Sequence, residues 1–151
     1  MIDIHTEIEI GAPPEVVWRV LTDFKAFPDW NPFVTSVSGE PEEGARLRIT
    51  VKVPDGPVVK FKPTVLRAER ARELRWIGRL AVPGFFSGEH FMKLEPAEGG
   101  RATRFVHGEH IEGLLLPFMG GTLRKSRRGY DLMNEALKAR AEALAKEGAK
   151  V

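Results

Sequence analysis

The chain has 151 residues, of which 42% are hydrophobic and 29% charged, a composition that builds a core and excludes disordered and fibrous classes. A formal net charge of only +2 points to no nucleic-acid partner, although the pI is near 9.0. With no cysteine at all, disulfides, thiolate metal sites and thiol nucleophiles are excluded. One domain spanning residues 1–151 is expected from the length.

Ile2, Ile4, Ile8 and Ile10 fall at even positions with Asp3, Glu7 and Glu9 between them, the period-2 pattern of a strand with one buried face. This start lacks the basic residues and apolar run of a signal peptide. Pro13, Pro14 and Glu15 suit the first turn of a helix, and Val16, Val17, Val20, Leu21 and Phe24 give it an apolar stripe beside Trp18. Trp18 reads as core. The pattern stops before Phe27-Pro28, and the connector through Pro32 holds at most one more helical turn, with Trp30 packed beneath it.

From Phe33 the period becomes 2 for about half the chain. Leu47, Ile49, Val51 and Val53 alternate with Arg48, Thr50 and Lys52 up to a Pro54-Asp55-Gly56 turn. Val59, Phe61, Pro63 and Val65 share the next face, and Pro63, which cannot donate to a ladder, predicts an edge or a bulge there. Leu74 and Trp76 follow. His90, Met92 and Leu94 share one strand face, and after the turn at 98–101 so do Thr103, Phe105, His107, Glu109 and Ile111. Residues 121–146 return to helical spacing, with Leu123, Tyr130, Met133, Leu137 and Leu144 in register, a helix of roughly 39 Å at 1.5 Å per residue. The run 114–119 contains Pro117 and is far short of the roughly 20 residues a membrane span needs. It reads as a loop or flap that Gly120-Gly121 allow to move over a cavity entrance. Stable membrane insertion is not expected, and the expected location is the cytoplasm.

The order strand, short helix, several antiparallel strands, long helix is that of an α+β protein with a curved sheet of about six to seven strands around a C-terminal helix. The series Ile8, Ile10, Ala12-Pro13, Val17-Trp18, Leu21-Thr22-Asp23-Phe24 and Pro28-Asp29-Trp30-Asn31-Pro32 resembles the opening of the SRPBCC (START/Bet v 1-like) superfamily, with most similarity to its polyketide cyclase/dehydrase branch. Leu74, Trp76, Gly88, His90, Leu94-Glu95-Pro96, Thr103-Arg104-Phe105, Glu109 and Gly113 extend the resemblance over nearly the whole chain. It implies a helix-grip fold, short N-terminal helices, and an apolar cavity between sheet and final helix. A twisted sheet with one apolar face and a single covering helix leads to the same expectation.

His107 and Glu109 are titratable groups on a face shared with Phe105 and Ile111, and such a placement calls for a partner or a role. They are the candidate acid/base pair, or they orient a polar group of a ligand, or they bond to each other or to water; His90 is their expected neighbour. A zinc or iron site made of His90, His107 and Glu109 has suitable ligand types but no recognised spacing, so no metal is expected. The expected lining of the cavity is Trp76, Phe86, His90, Met92, Phe105, His107, Glu109, Phe118, Met119, Leu123, Tyr130 and Met133. A hydrophobic small molecule of the lipid, aromatic polyketide or isoprenoid type is the expected partner, bound or cyclised. No cofactor is expected, since Gly99-Gly100 and Gly120-Gly121 match no phosphate-binding or dinucleotide pattern and Ser87-Gly88 forms no nucleophile elbow. Arg124, Lys125, Arg127 and Arg128 form the basic cluster of the sequence, read as a charged helix face or as a patch for an acidic protein partner.

Overall fold

The computed structural model of the protein describes residues 1–79 and 84–149. Strand β1 (Ile2–Ile10) leads into helix α1 (Pro14–Thr22), a single helical turn α2 (Phe27–Trp30), strands β2 (Val34–Ser38), β3 (Arg48–Lys52), β4 (Val58–Phe61), β5 (Thr64–Glu69), β6 (Glu73–Arg79), β7 (Ser87–Ala97) and β8 (Ala102–Glu112), and finally helix α3 (Gly120–Ala149). Pro13 and Pro14 open α1, where a missing N–H leaves no bond unmade.

The antiparallel strands run in the order β1-β8-β7-β6-β5 and β2-β3-β4. The two groups join where Leu47 N–H donates to the Pro63 carbonyl and Val65 N–H to the Ala45 carbonyl, each at 2.9 Å, so the sheet curves continuously. Eight strands replace the six to seven expected, because the stretch that reads as one strand from Val59 to Val65 is divided at Lys62-Pro63. Proline has no N–H to continue the ladder, and the chain turns from one group to the other at that point. Further register shifts lie between Val34 and Ser36 and between Val65 and Arg67. None occurs at Gly88, since β7 and β8 pair without interruption from Ser87 and Glu112 to Ala97 and Ala102.

That unbroken ladder is set by its turn. Glu98, Gly99 and Gly100 all take positive φ, at 50°, 69° and 90°, a run two glycines make tolerable. Two cross-strand rows result on the concave face. Trp76, His90, Glu109 and Ile4 stand abreast on β6, β7, β8 and β1, and one step along stand Leu74, Met92, His107 and Thr6.

Helix α3 lies across this face. Its residues Tyr130, Met133, Leu137 and Ala141 are buried in one core with Ile10, Leu21, Phe27, Leu74, Met92 and Phe105. Trp18 and Trp30 are half-buried against the same core. The helix begins at Gly120, so both glycines of the expected hinge lie in its first turn. The preceding segment is tethered as well: Leu114 and Leu115 donate backbone bonds to Gly84 and Phe85, each at 3.1 Å. The segment 114–121, expected as a loop or flap, thus contains a helical turn (Leu116–Phe118) that leads into α3. Among the described residues no helix is long and apolar enough to cross a membrane.

Candidate functional site

Where the first turns of α3 stand off the sheet, a cavity of about 150 Å³ remains. Phe33, Val34, Val51, Val53 and Ile111 supply apolar wall, Trp76, His90 and Tyr130 close one end, and Glu109 lies beside them. The exposed Val59 and the half-buried Phe86, Met119 and Thr122 bring the wall to the surface at the other end. Thr122, Ser126 and Tyr130 occur at i, i+4 and i+8 and so form one polar edge along α3.

Seven of the residues expected to line the cavity do so: Trp76, Phe86, His90, Glu109, Met119, Leu123 and Tyr130. The other five stand elsewhere. Met92, Phe105, His107 and Met133 face the concave side but are fully enclosed in the packed core, because farther along the strands α3 closes onto the sheet. Phe118 is 85% exposed, on the helical turn before α3.

The polar residues form one chain of hydrogen bonds. Tyr130 Oη donates to Glu109 Oε1 at 2.7 Å and lies 3.3 Å from His90 Nδ1. His90 Nε2 meets His107 Nε2 at 2.7 Å, and His107 Nδ1 meets Asn134 Oδ1 at 2.7 Å. Asn134 Nδ2 donates to Thr6 Oγ1 at 2.8 Å, and Thr6 Oγ1 donates to the His107 carbonyl at 2.6 Å. The His90 ring is sandwiched between Trp76 and Tyr130, with centroids 4.9 and 5.2 Å away. The diagonal contact between His90 and His107 follows from the register, which places each opposite the other's strand two residues along.

Burial shifts two groups of this chain in predictable directions. Removal from water, helped by the neighbouring His90 ring, holds His107 well below its ordinary value of 6.5. Burial and the charge of Glu109 raise the Tyr130 phenol well above 10.0. Gly88 matters here for its missing side chain: a Cβ would come within 2.9 Å of Glu109 Oε2, so the carboxylate lies over the bare β7 backbone.

Sequence reasoning missed Asn134 and Thr6, though both left a signal. Asn134 is a polar residue beside the Tyr130, Met133, Leu137 stripe, and Thr6 interrupts the even-numbered isoleucines of β1. The ring nitrogens of His107 and Nε2 of His90 are taken up by hydrogen bonds, and among the described residues no three His, Cys, Asp or Glu side chains group to hold a metal ion. Arg124, Lys125, Arg127 and Arg128 are all exposed on α3. A shallower groove on the outer side of β2-β3-β4 is lined by Arg46, Arg48, Lys60, Lys62 and Arg79 with Ser36, Ser38 and Thr50.

The family described as "Polyketide cyclase / dehydrase and lipid transport" matches residues 1–142. The chain belongs to this family. No curated protein matches it. Among solved structures, TTHA0849 from Thermus thermophilus is similar at TM-score 0.73 and 20% identity, covering 95% of this chain and 99% of that one. A START superfamily protein from Mycobacterium smegmatis is similar at TM-score 0.71 and 20% identity, covering 94% and 98%. The di-domain ARO/CYC StfQ from the steffimycin biosynthetic pathway matches at TM-score 0.66 and 17% identity, over 99% of this chain and 52% of that one. At these identities the likeness is one of fold, and it is the SRPBCC fold that the sequence resembles. The family's name covers both cyclisation and lipid transport.

Proposed function

We propose that the protein binds a hydrophobic small molecule, of lipid, aromatic polyketide or isoprenoid type, in the cavity between the sheet and α3. The observation that carries this reading is the cavity wall, apolar over most of its extent with its polar groups confined to one end and one edge. Its volume, about 150 Å³, is on the scale of cavities that hold a single benzene ring. The occupant is therefore a one-ring molecule, or a longer one whose remainder passes out between Val59, Phe86 and Met119.

Native mass spectrometry of the purified protein, followed by extraction of whatever co-purifies, tests this. A stoichiometric apolar adduct is expected, and it should disappear in Leu123→Trp, where a larger half-buried side chain fills the space. A protein that stays empty and takes up no apolar compound at millimolar concentration sinks the reading.

A second reading, a cyclase-like enzyme, draws on a separate observation: His90, Glu109 and Tyr130, all able to exchange protons, meet at the cavity. In that case the cavity holds one ring's length of a reactive chain in place beside these groups, and proximity supplies most of the acceleration. Turnover decides between the two, since Glu109→Gln would abolish rate while leaving binding of the unreactive chain intact.

A further inference from the structure

The hydrogen-bond chain behind the cavity has a direction, and it can be followed proton by proton. Thr6 spends its hydroxyl hydrogen on the His107 carbonyl, so its oxygen accepts from Asn134 Nδ2. Asn134 therefore turns Oδ1 to His107 Nδ1, which must carry a hydrogen. The buried His107 ring is neutral, so its Nε2 is bare and His90 Nε2 has to donate across the 2.7 Å contact. His90 is then left with Nδ1 facing Tyr130 Oη and Glu109 Oε1, at 3.3 and 3.5 Å. Tyr130 has one proton to give, and gives it to Glu109.

The end of the cavity closed by these residues consequently shows a ligand lone pairs and no spare proton. Glu109 Oε2, which takes no part in the bond from Tyr130, is a further acceptor. Resting on the cavity reading above, we infer that the cavity selects the hydroxylated end of an apolar molecule, a phenol or an alcohol, whose O–H donates to Glu109 while its carbon body lies against Phe33, Val34, Val51 and Ile111. A carboxylate ligand would meet the Glu109 charge at short range, and a ketone or ester would set lone pair against lone pair. A hydrocarbon would strip water from the carboxylate and return nothing. An ammonium group would have to give up its water and place three N–H donors in a wall that is mostly apolar, whereas a hydroxyl brings a single donor and no charge.

Four probes that share one ethylphenyl body and differ in head group separate the outcomes by isothermal titration calorimetry: 4-ethylphenol, ethylbenzene, 4-ethylbenzoate and 4-ethylbenzylamine. 4-Ethylphenol is expected to bind at least tenfold more tightly than ethylbenzene, with 4-ethylbenzoate weakest. In Glu109→Gln, whose amide offers a donor as well as an acceptor, the preference for the phenol should shrink to within about threefold. Unchanged ethylbenzene affinity in that variant shows that the cavity itself is intact. Equal affinity for phenol and hydrocarbon, or a preference for the benzoate or the amine, overturns the hydroxyl inference while leaving the cavity reading in place. Failure of all four to bind overturns both.

Discussion

A histidine ring enclosed as His107 is, at 0% exposure, cannot take a proton without breaking the bonds around it. Its neighbours on every packed side are uncharged or themselves titratable: Asn134 and Tyr130 from α3, Thr6 from β1, and His90 from β7. The consequence for stability has a definite sign. Below pH 6.5 the unfolded chain binds a proton at this position and the folded chain does not, so stability falls as pH falls. The expected slope is about 1.4 kcal/mol per pH unit from this one group. Urea unfolding at half-unit steps from pH 6.5 to 5.0 should show it, and His107→Gln should flatten it; an unchanged slope in the variant would assign the effect to another group. Glu7 does not confuse this window. Arg104, with a contribution from His5, draws its carboxyl down to about 2, and that stabilisation is lost only below 4.5, the ordinary carboxyl value. At this scale the inward face was legible from alternation alone, for His90, His107 and Glu109 alike. What alternation does not carry is depth along the strand, and a two-residue step separates Glu109 in the cavity wall from His107 in the core.

Elements settle that depth. Helix α3 approaches the sheet at one end and stands away from it at the other, and the residue that sets the spacing is Gly129. A Cβ there would run into the Phe33 ring, which is itself cavity wall and lies 5.1 Å from the Tyr130 ring. Gly129→Ala is expected to destabilise the fold by about 1–3 kcal/mol through overpacking, measured as a lower urea midpoint, despite the better helix propensity of alanine. An unchanged or raised midpoint would mean that Phe33 has room to move. Helix and strand identities were readable in the periods of the sequence, and the interruption at Pro63 was readable from its missing N–H. The division of the sheet at that interruption was not, because it depends on which strand the chain meets next, and the pairing of Leu47 with Pro63 spans a hairpin.

For the molecule as a whole, cavity occupancy and folding are linked quantities. A ligand that binds only the folded state, present at a hundred times its Kd, adds about 2.7 kcal/mol. In a chain of this length each kcal/mol raises the melting temperature by about 2–4 °C, so a rise of about 5–10 °C is expected for a tight occupant. Leu123→Trp should abolish most of that rise, and a rise that survives in it would place the ligand elsewhere, the basic groove outside β2-β3-β4 being the next place to look. The stack at the closed end of the cavity carries a further consequence, an optical one. Trp76 is the most deeply buried of the tryptophans, and its indole lies almost parallel to the His90 ring, 24° apart. Indole emission follows the polarity and contacts of its surroundings, and Trp76 is itself part of the cavity wall. Its intrinsic fluorescence should therefore shift when an occupant replaces what lies against it, giving the protein a built-in lamp for whatever arrives beside Glu109.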